Sequence, residues 1–441
     1  MSWVADEMAG VDLGDGRLNK RVVKLLDRFA AQPTASIPGA CGDWAETQAA
    51  YRFLANEEVS WEGILAPHWA STQARLRAHP VVLCIQDTTE LDFNGQAMAG
   101  LGPLSYEAQR GMYLHPTYAV SLAREPLGVL DAWMWAREPK DETGARGGVR
   151  ESVRWREGYE RVAELAAELP DTRLVYVADR EADIAELMAT ARDLGTPADG
   201  LLRCQHNRAL PAGGKRWAQV SAEEILGAVC FTLPARNGQK ARAVRQQIRA
   251  AVVDLSDGRG GTVRASCIIA KEINAPAGVT PLEWRLLTNR DAVTFEAACE
   301  LIDWYRARWE IELFFHVLKN GCKIEMLQLG TVERVERALA LYMVVAWRVA
   351  RLMRLGRTCP ELDAELLFER DEWQAAFILN KRKPPATAPT LNEVIRLVAR
   401  LGGFLARKGD GEPGVKTIWL GLQRVMDFAA GVQFLRELEE P

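Results

Sequence analysis

Over residues 19–31 apolar side chains recur at Val22, Val23, Leu25, Leu26 and Phe29, and basic Arg17, Lys20, Arg21, Lys24 and Arg28 take other positions. That spacing predicts an amphipathic helix. Residues 45–54 predict a second helix, and PTASIPGAC at 34–42 a loop between the two. The pattern then changes. Residues 81–85 are a short, wholly apolar run, as expected of a strand buried on both faces, and Gln86, Asp87, Thr88 and Thr89 follow at once. Residues 118–122 and 127–135 predict further strands, separated by the turn-like Arg124, Glu125 and Pro126. An amphipathic helix is predicted over 153–169, ended by Pro170. Residues 174–178 predict a second buried strand that runs directly into Asp179, followed by a helix over 182–191. This succession is an α/β layout.

From 201 to 288 the runs LLRCQH, AVCFTLP, VRQQIRAAVVDL, TVRASCIIA and WRLLTN predict strands, with Gly and Pro turns between them. This stretch is read as a β-rich insertion. Residues 295–320 predict one long helix closed by Gly321, and 333–356 another. The remainder, from about 360, is helical with a KRKPPATAP linker at 381–389. Neither repeats nor low-complexity tracts interrupt the chain.

Composition is ordinary for a globular protein, and 441 residues suit about three domains. The longest apolar run, 338–347, is too short to span a bilayer, so no membrane partner is expected. The start of the chain carries Asp6, Glu7, Asp12 and Asp15 and has no apolar signal region, and the eight cysteines form no CxxC pair. Both features predict a cytoplasmic protein with reduced thiols. The net charge of −4 argues mildly against nucleic acid as a partner. Its distribution qualifies that, because residues 71–200 hold 14 basic and 21 acidic side chains while 201–300 hold 14 and 9. Such polarity suits cations on one stretch and phosphates on another, although charge also fluctuates along any chain.

Two predicted buried strands end in aspartates, Asp87 and Asp179. Open α/β sheets hold ligands at that rim, while either residue alone also reads as a turn or capping aspartate. On a continuous helix Tyr305, Arg308, Glu312 and Lys319 fall within an arc of about 60°. One face then presents a phenol, a guanidinium, a carboxylate and an ammonium, which a solvated helix face would also explain. Three carboxylates with phosphate-binding cations suggest two-metal phosphoryl transfer. Mg²⁺ takes oxygen ligands, Arg308 would grip phosphate as a fork, and Lys319 as a point charge.

The segments YVADREADI at 176–184 and YRARWEIELFFHVLK at 305–319 resemble the Asp-Asp-Glu cut-and-paste transposases of the bacterial insertion-sequence-four group. The family's Tyr-x₂-Arg-x₃-Glu-x₆-Lys signature is met at every spacing. Its Asp-Thr-Thr and Asp-Arg-Glu-Ala-Asp motifs are met at 87–89 and 179–183. Matching segments extend from LGDGRLNKRV at 13–22 and AYRFLAN at 50–56 to RLGGFLARK at 400–408. The resemblance implies an α/β fold with a ribonuclease-H-like catalytic core over 71–358, carrying the β-rich insertion at about 201–288. It implies a helical DNA-end-binding domain over 1–70 and a helical dimerisation domain over 359–441.

By the same resemblance Asp87, Asp179 and Glu312 are the catalytic, metal-holding residues. They would hold two Mg²⁺ ions, with Mn²⁺ able to substitute. Tyr305, Arg308 and Lys319 would contact phosphates. Trp284, 21 residues before Tyr305, would stack on an extruded base, or else sit in the core of a strand. Arg203, Arg17, Lys20, Arg21 and Arg52 would contact DNA, where solvated surface charges are the alternative. The resemblance implies as partners double-stranded DNA, as inverted-repeat ends and as target, and a second copy of the chain in a synaptic homodimer, in a bacterial, nucleoid-associated setting.

Two departures from the pattern stand out: Gln205 replaces a second basic residue after Arg203, and the expected basic tract is reduced to Lys381, Arg382 and Lys383. The rival readings are a related nuclease without strand transfer and a catalytically silent DNA-binding regulator. The intact carboxylates argue against the silent one. The five histidines are too scattered for a zinc site. His115, in a matched segment, reads as structural or as touching the metal site. No GxxxxGK[ST] loop is present, so nucleotide hydrolysis is not supported.

Overall fold

The computed structural model describes residues 3–233 and 241–439. Its strands are β1 (Val81–Gln86), β2 (Thr89–Asp92), β3 (Gly102–Pro103), β4 (Arg110–Ser121), β5 (Pro126–Trp135), β6 (Arg173–Ala178), β7 (Asp199–Arg203), β8 (Gly227–Leu233), β9 (Arg242–Ser256), β10 (Thr262–Glu272) and β11 (Glu283–Thr288). Contacts divide the chain into two units, one of Arg77–Asp87 and Val149–Trp309, the other of Met1–Leu76, Thr88–Gly148 and Glu310–Pro441.

The first unit is built on a sheet of order β1-β6-β7-β11-β10-β9-β8. β1, β6 and β7 are parallel neighbours, while β7 to β8 continue antiparallel. The β-rich stretch therefore prolongs the sheet that carries both aspartates: β11 satisfies the edge of β7 that β6 leaves open. The run AVCFTLP forms β8 except for Pro234, which lies outside the described residues.

β1 and β6 are wholly buried from their second residue onward, which is why each reads as an unbroken apolar run. The helix Glu151–Glu168 lies against them. Tyr159 and Tyr176 meet edge to face at 5.7 Å, and the Tyr176 hydroxyl lies 2.5 Å from Gln86 Oε1 and 2.9 Å from Trp155 O. Gly158 makes the approach possible, because a Cβ there would stand 2.0 Å from Gln86 Nε2.

The second unit centres on the helix Val332–Thr358. Every side chain from Ala338 to Trp347 is at most 2% exposed, so the centre of this helix is apolar all round and forms the core. Phe29 of helix Gly16–Ala31 stacks on Tyr342 at 4.9 Å. β4 pairs with β2, β3 and β5. The last stretch is helical as expected, at Arg370–Leu379, Leu391–Leu401 and Val415–Glu439.

The helix Trp61–Leu76 begins inside residues 1–70, expected to be helical, and runs beyond them, although Pro67 lies inside it and its apolar residues follow no clean stripe. Two local expectations are corrected. The helix expected over 182–191 is a 3₁₀ turn, Arg180–Ala182, followed by a helix over Ala185–Asp193. The long helix over 295–320 is three pieces: Phe295–Arg306, Trp309–His316 and a π turn over Val317–Gly321. The first break is a tightened turn in which Ala307 N donates to Trp304 O and Arg308 N to Tyr305 O. No described helix is long and apolar enough to cross a membrane.

Candidate active site

β1 and β6 pair in register, Gln86 opposite Ala178, so the next residues, Asp87 and Asp179, leave neighbouring strand ends side by side. Asp179 is half-buried and caps the turn after β6, accepting the Glu181 N–H at 2.8 Å. Asp87 is 8% exposed, and the Arg308 guanidinium donates to its Oδ2. The break at Ala307 and Arg308 frees Arg308 from the helix and turns it onto that carboxylate.

Tyr305, on the last turn of helix Phe295–Arg306, completes the group. It is 5% exposed. Burial raises its hydroxyl above the ordinary phenol range, Arg308 and Arg203 pull it down, and Asp179 pushes it up. Arg203 stands at the end of β7, near enough to the Tyr305 hydroxyl for its charge to act on it. Trp284 of β11 lies against Tyr305 at 6.1 Å and stacks on Phe231 at 5.5 Å and 9°. It is 8% exposed, so in this structure its ring is covered by protein. Arg306 lies over the Phe231 ring at 4.7 Å. Asp87, Asp179, Tyr305, Arg308, Arg203 and Trp284 thus all belong to the first unit.

Glu312 and Lys319 belong to the second unit. Glu312 is half-buried on helix Trp309–His316. Lys319 Nζ donates to Glu90 O at 2.7 Å and pairs with Glu325 at 3.1 Å. The helix break means that the four signature residues do not share one continuous helix face. In the same unit His115 is 1% exposed and its Nδ1 meets Thr88 Oγ1 at 2.7 Å. Arg17 is exposed and paired with Asp15 at 2.9 Å; Lys20 and Arg52 are exposed, and Arg21 is half-exposed.

The donor chemistry fits a hard divalent cation. Asp87 and Asp179 offer only oxygen atoms, and Asp87 already carries a cation, the guanidinium. Among the described residues, no three His, Cys, Asp or Glu side chains gather into a group that could hold a metal ion. Two residues escaped the sequence reading. Gln86, fully buried beside Asp87, gave no signal beyond its place at a strand end. Asp183, buried at the far end of the Asp179 turn, was in plain view as the last letter of the Asp-Arg-Glu-Ala-Asp motif.

Comparison with known families gives three successive matches. Residues 1–59 match a transposase DNA-binding family, 160–347 a transposase DDE domain, and 344–441 the transposase Tn5 dimerisation domain. DDE domains of this type use divalent metal ions. Among solved structures, a cryo-EM structure of a piggyBac transposase synaptic complex with hairpin DNA aligns at a TM-score of 0.40 and 7% identity, over 99% of this chain and 80% of that one. With DNA-binding, DDE and Tn5-type dimerisation domains following one another along it, this chain is a DNA transposase, an enzyme that cleaves DNA and transfers the cut strand.

Proposed function

We propose that this transposase is a cut-and-paste enzyme of the insertion-sequence-four group, with a ribonuclease-H-like core and Asp87, Asp179 and Glu312 as its catalytic carboxylates. The observation that carries the reading is the registered pair of strand ends that sets Asp87 beside Asp179. Residues 1–70 bind the transposon end, 71–358 do the chemistry, and 359–441 form a synaptic homodimer in which each subunit acts on its partner's DNA end.

Those carboxylates would hold Mg²⁺, with Mn²⁺ as substitute, and the bound ions would supply activation of the attacking oxygen and offset charge on the leaving one. The protein's own residues do the positioning. Arg308 grips a phosphate as a planar fork and Lys319 as a point charge. Tyr305, kept neutral by burial, donates a hydrogen bond beside the cleaved bond. Arg203, Arg17, Lys20, Arg21 and Arg52 add backbone contacts that fix register without reading sequence.

The reaction is a series of in-line displacements at phosphorus. Water attacks the phosphodiester at the transposon end and releases a 3′-hydroxyl. That hydroxyl attacks the opposite strand, expelling the flanking 3′-oxygen and closing a hairpin. Water reopens the hairpin, and the 3′-hydroxyl then attacks target DNA. Extruding a base lets the strand bend into the hairpin, and Trp284 supplies the ring that replaces its lost stacking. For this Trp284 exchanges its present neighbour, Phe231, for the base.

A duplex carrying the element's own end tests the scheme. With Mg²⁺ the protein should give a nick, then a hairpin, then a blunt end on a denaturing gel. Trp284→Ala should accumulate the nick. Equal hairpin yields in both proteins would remove Trp284 from the scheme, and a nick that never advances in either would reduce the enzyme to a nuclease.

A further inference from the structure

The turn Asp179–Asp183 carries a carboxylate at each end, and the chemistry above uses only the first. Asp183 is 6% exposed. Its Oδ2 accepts the backbone N–H of Gln205 at 2.9 Å and of His206 at 2.8 Å. The same carboxylate pairs with Arg216 at 3.4 Å and Arg208 at 3.6 Å, and Arg208 also donates to the Asp183 carbonyl. Arg216 is wholly buried. It donates to Asp183 and to the His206 carbonyl, and its Nε and Nη1 have no hydrogen-bond partner. A buried acid and a buried base thus converge on one short loop, residues 204–208.

That loop starts one residue after Arg203, the last residue of β7, whose charge acts on the Tyr305 hydroxyl. At its other end Asp183 N donates to Arg180 O at 3.2 Å and closes the turn that Asp179 caps. One side chain therefore joins the turn presenting Asp179 to the loop leaving Arg203. All of these residues lie in the first unit. A charge kept this far from water needs its partners, and here they are backbone amides of the loop beside the site.

We propose that Asp183 is a positioning residue for strand cleavage: through the 204–208 loop it fixes Arg203 at the end of β7, near Tyr305, with Arg216 as its buried counter-charge. This rests on the reading that Arg203 and Tyr305 serve the cleavage step. Small misplacements of such groups slow a reaction by about 10- to 100-fold while leaving binding almost intact.

The test is single-turnover nicking of an end duplex with Mg²⁺ at saturating full-length protein, with end affinity measured separately. Asp183→Asn should nick at least about tenfold more slowly, with Kd unchanged within about threefold. The decisive comparison is the double variant Asp183→Asn/Arg203→Ala. It should nick at the rate of Arg203→Ala alone, because both changes remove one device.

A double variant slower by the full Asp183→Asn factor would show a general structural role and overturn the proposal. So would wild-type nicking by folded Asp183→Asn. If Asp183→Asn does not fold, Asp183→Glu enters the same comparison, since it keeps the charge on Arg216 while its longer arm shifts the two accepted N–H groups. Wild-type nicking by Arg203→Ala would sink both this proposal and the role given to Arg203. A slow Arg203→Ala with independent losses would sink the proposal alone.

Discussion

Arg308 donates its guanidinium to the carboxylate of Asp87, across 221 positions of chain. The pair is mostly buried, with side-chain exposures of 11% and 12%. The guanidinium therefore occupies charge that a divalent ion would take. Phosphate is the alternative partner for the fork.

Arg308→Ala should bind Mn²⁺ more tightly than wild type in the absence of DNA, read by electron paramagnetic resonance of the free ion. The same variant should nick DNA at least about 100-fold more slowly at saturating metal, having lost a phosphate clamp. Unchanged Mn²⁺ affinity would show that Arg308 does not compete for Asp87.

Gly158 tests how the helix behind the sheet supports the site. A Cβ there would meet Gln86, which is fully buried and held by Tyr176, so its side chain has little room to swing away. Helix propensity favours alanine by about 1 kcal/mol, whereas overpacking a close core costs about 1–3 kcal/mol. Gly158→Ala should therefore lose roughly 1–2 kcal/mol in urea unfolding and slow nicking, since Gln86 precedes Asp87. A variant more stable than wild type would contradict the packing argument.

A buried network in the second unit sets acid sensitivity. Burial alone would raise the Glu7 carboxyl, but His68 and Arg75 outweigh it and bring it down to about 2. His68 Nε2 accepts the Val129 N–H at 3.0 Å, so its ring is neutral with the proton on Nδ1, facing Glu7. Burial holds the His68 pKa below its ordinary value. A depressed carboxyl stabilises fully above its unfolded value of 4.5, and that stability is lost as pH falls toward 2. A depressed histidine acts with the same sign, because the unfolded chain takes up the proton first as pH drops below 6.5. Stability should fall continuously below neutrality. Urea midpoints from pH 7 to 3 would show it; Glu7→Gln should be weaker at pH 7 and flatter toward acid. Parallel curves would contradict the assignment.

Lys319 is held by Glu90 and Glu325 and keeps a side-chain exposure of 28%. As a point-charge phosphate contact its removal should weaken binding to any sequence alike. Lys319→Ala should reduce the slope of log affinity against log salt by about 1. An undiminished slope would leave Lys319 a structural cation.

Much of this was legible from residues alone. β1 and β6 announce themselves because a strand buried on both faces must be apolar throughout, and their aspartates mark where the apolar run stops. The Val332–Thr358 helix shows in its ten-residue apolar centre. The break at Ala307 and Arg308 does not show, because both residues favour helix; a contact with Asp87, distant in sequence, goes with it. β2 hides in four polar-rich residues, TELD. The cover on Trp284 was equally hidden, since alternation along β11 buries one face without naming Phe231, which only the β8–β9–β10–β11 order brings near. The resemblance supplied the role of Glu312, which lies in a different unit from the two aspartates.

The central claim is that Asp87, Asp179 and Glu312 together catalyse cleavage. The most direct measurement sets Asp87→Asn, Asp179→Asn and Glu312→Gln beside wild type on an end-bearing duplex with Mg²⁺, reading products on a denaturing gel and end binding by mobility shift. Each variant should bind the end and release no nick or hairpin. Cleavage by Glu312→Gln at the wild-type rate would break the triad, and binding without cleavage by the wild type as well would contradict the account as a whole.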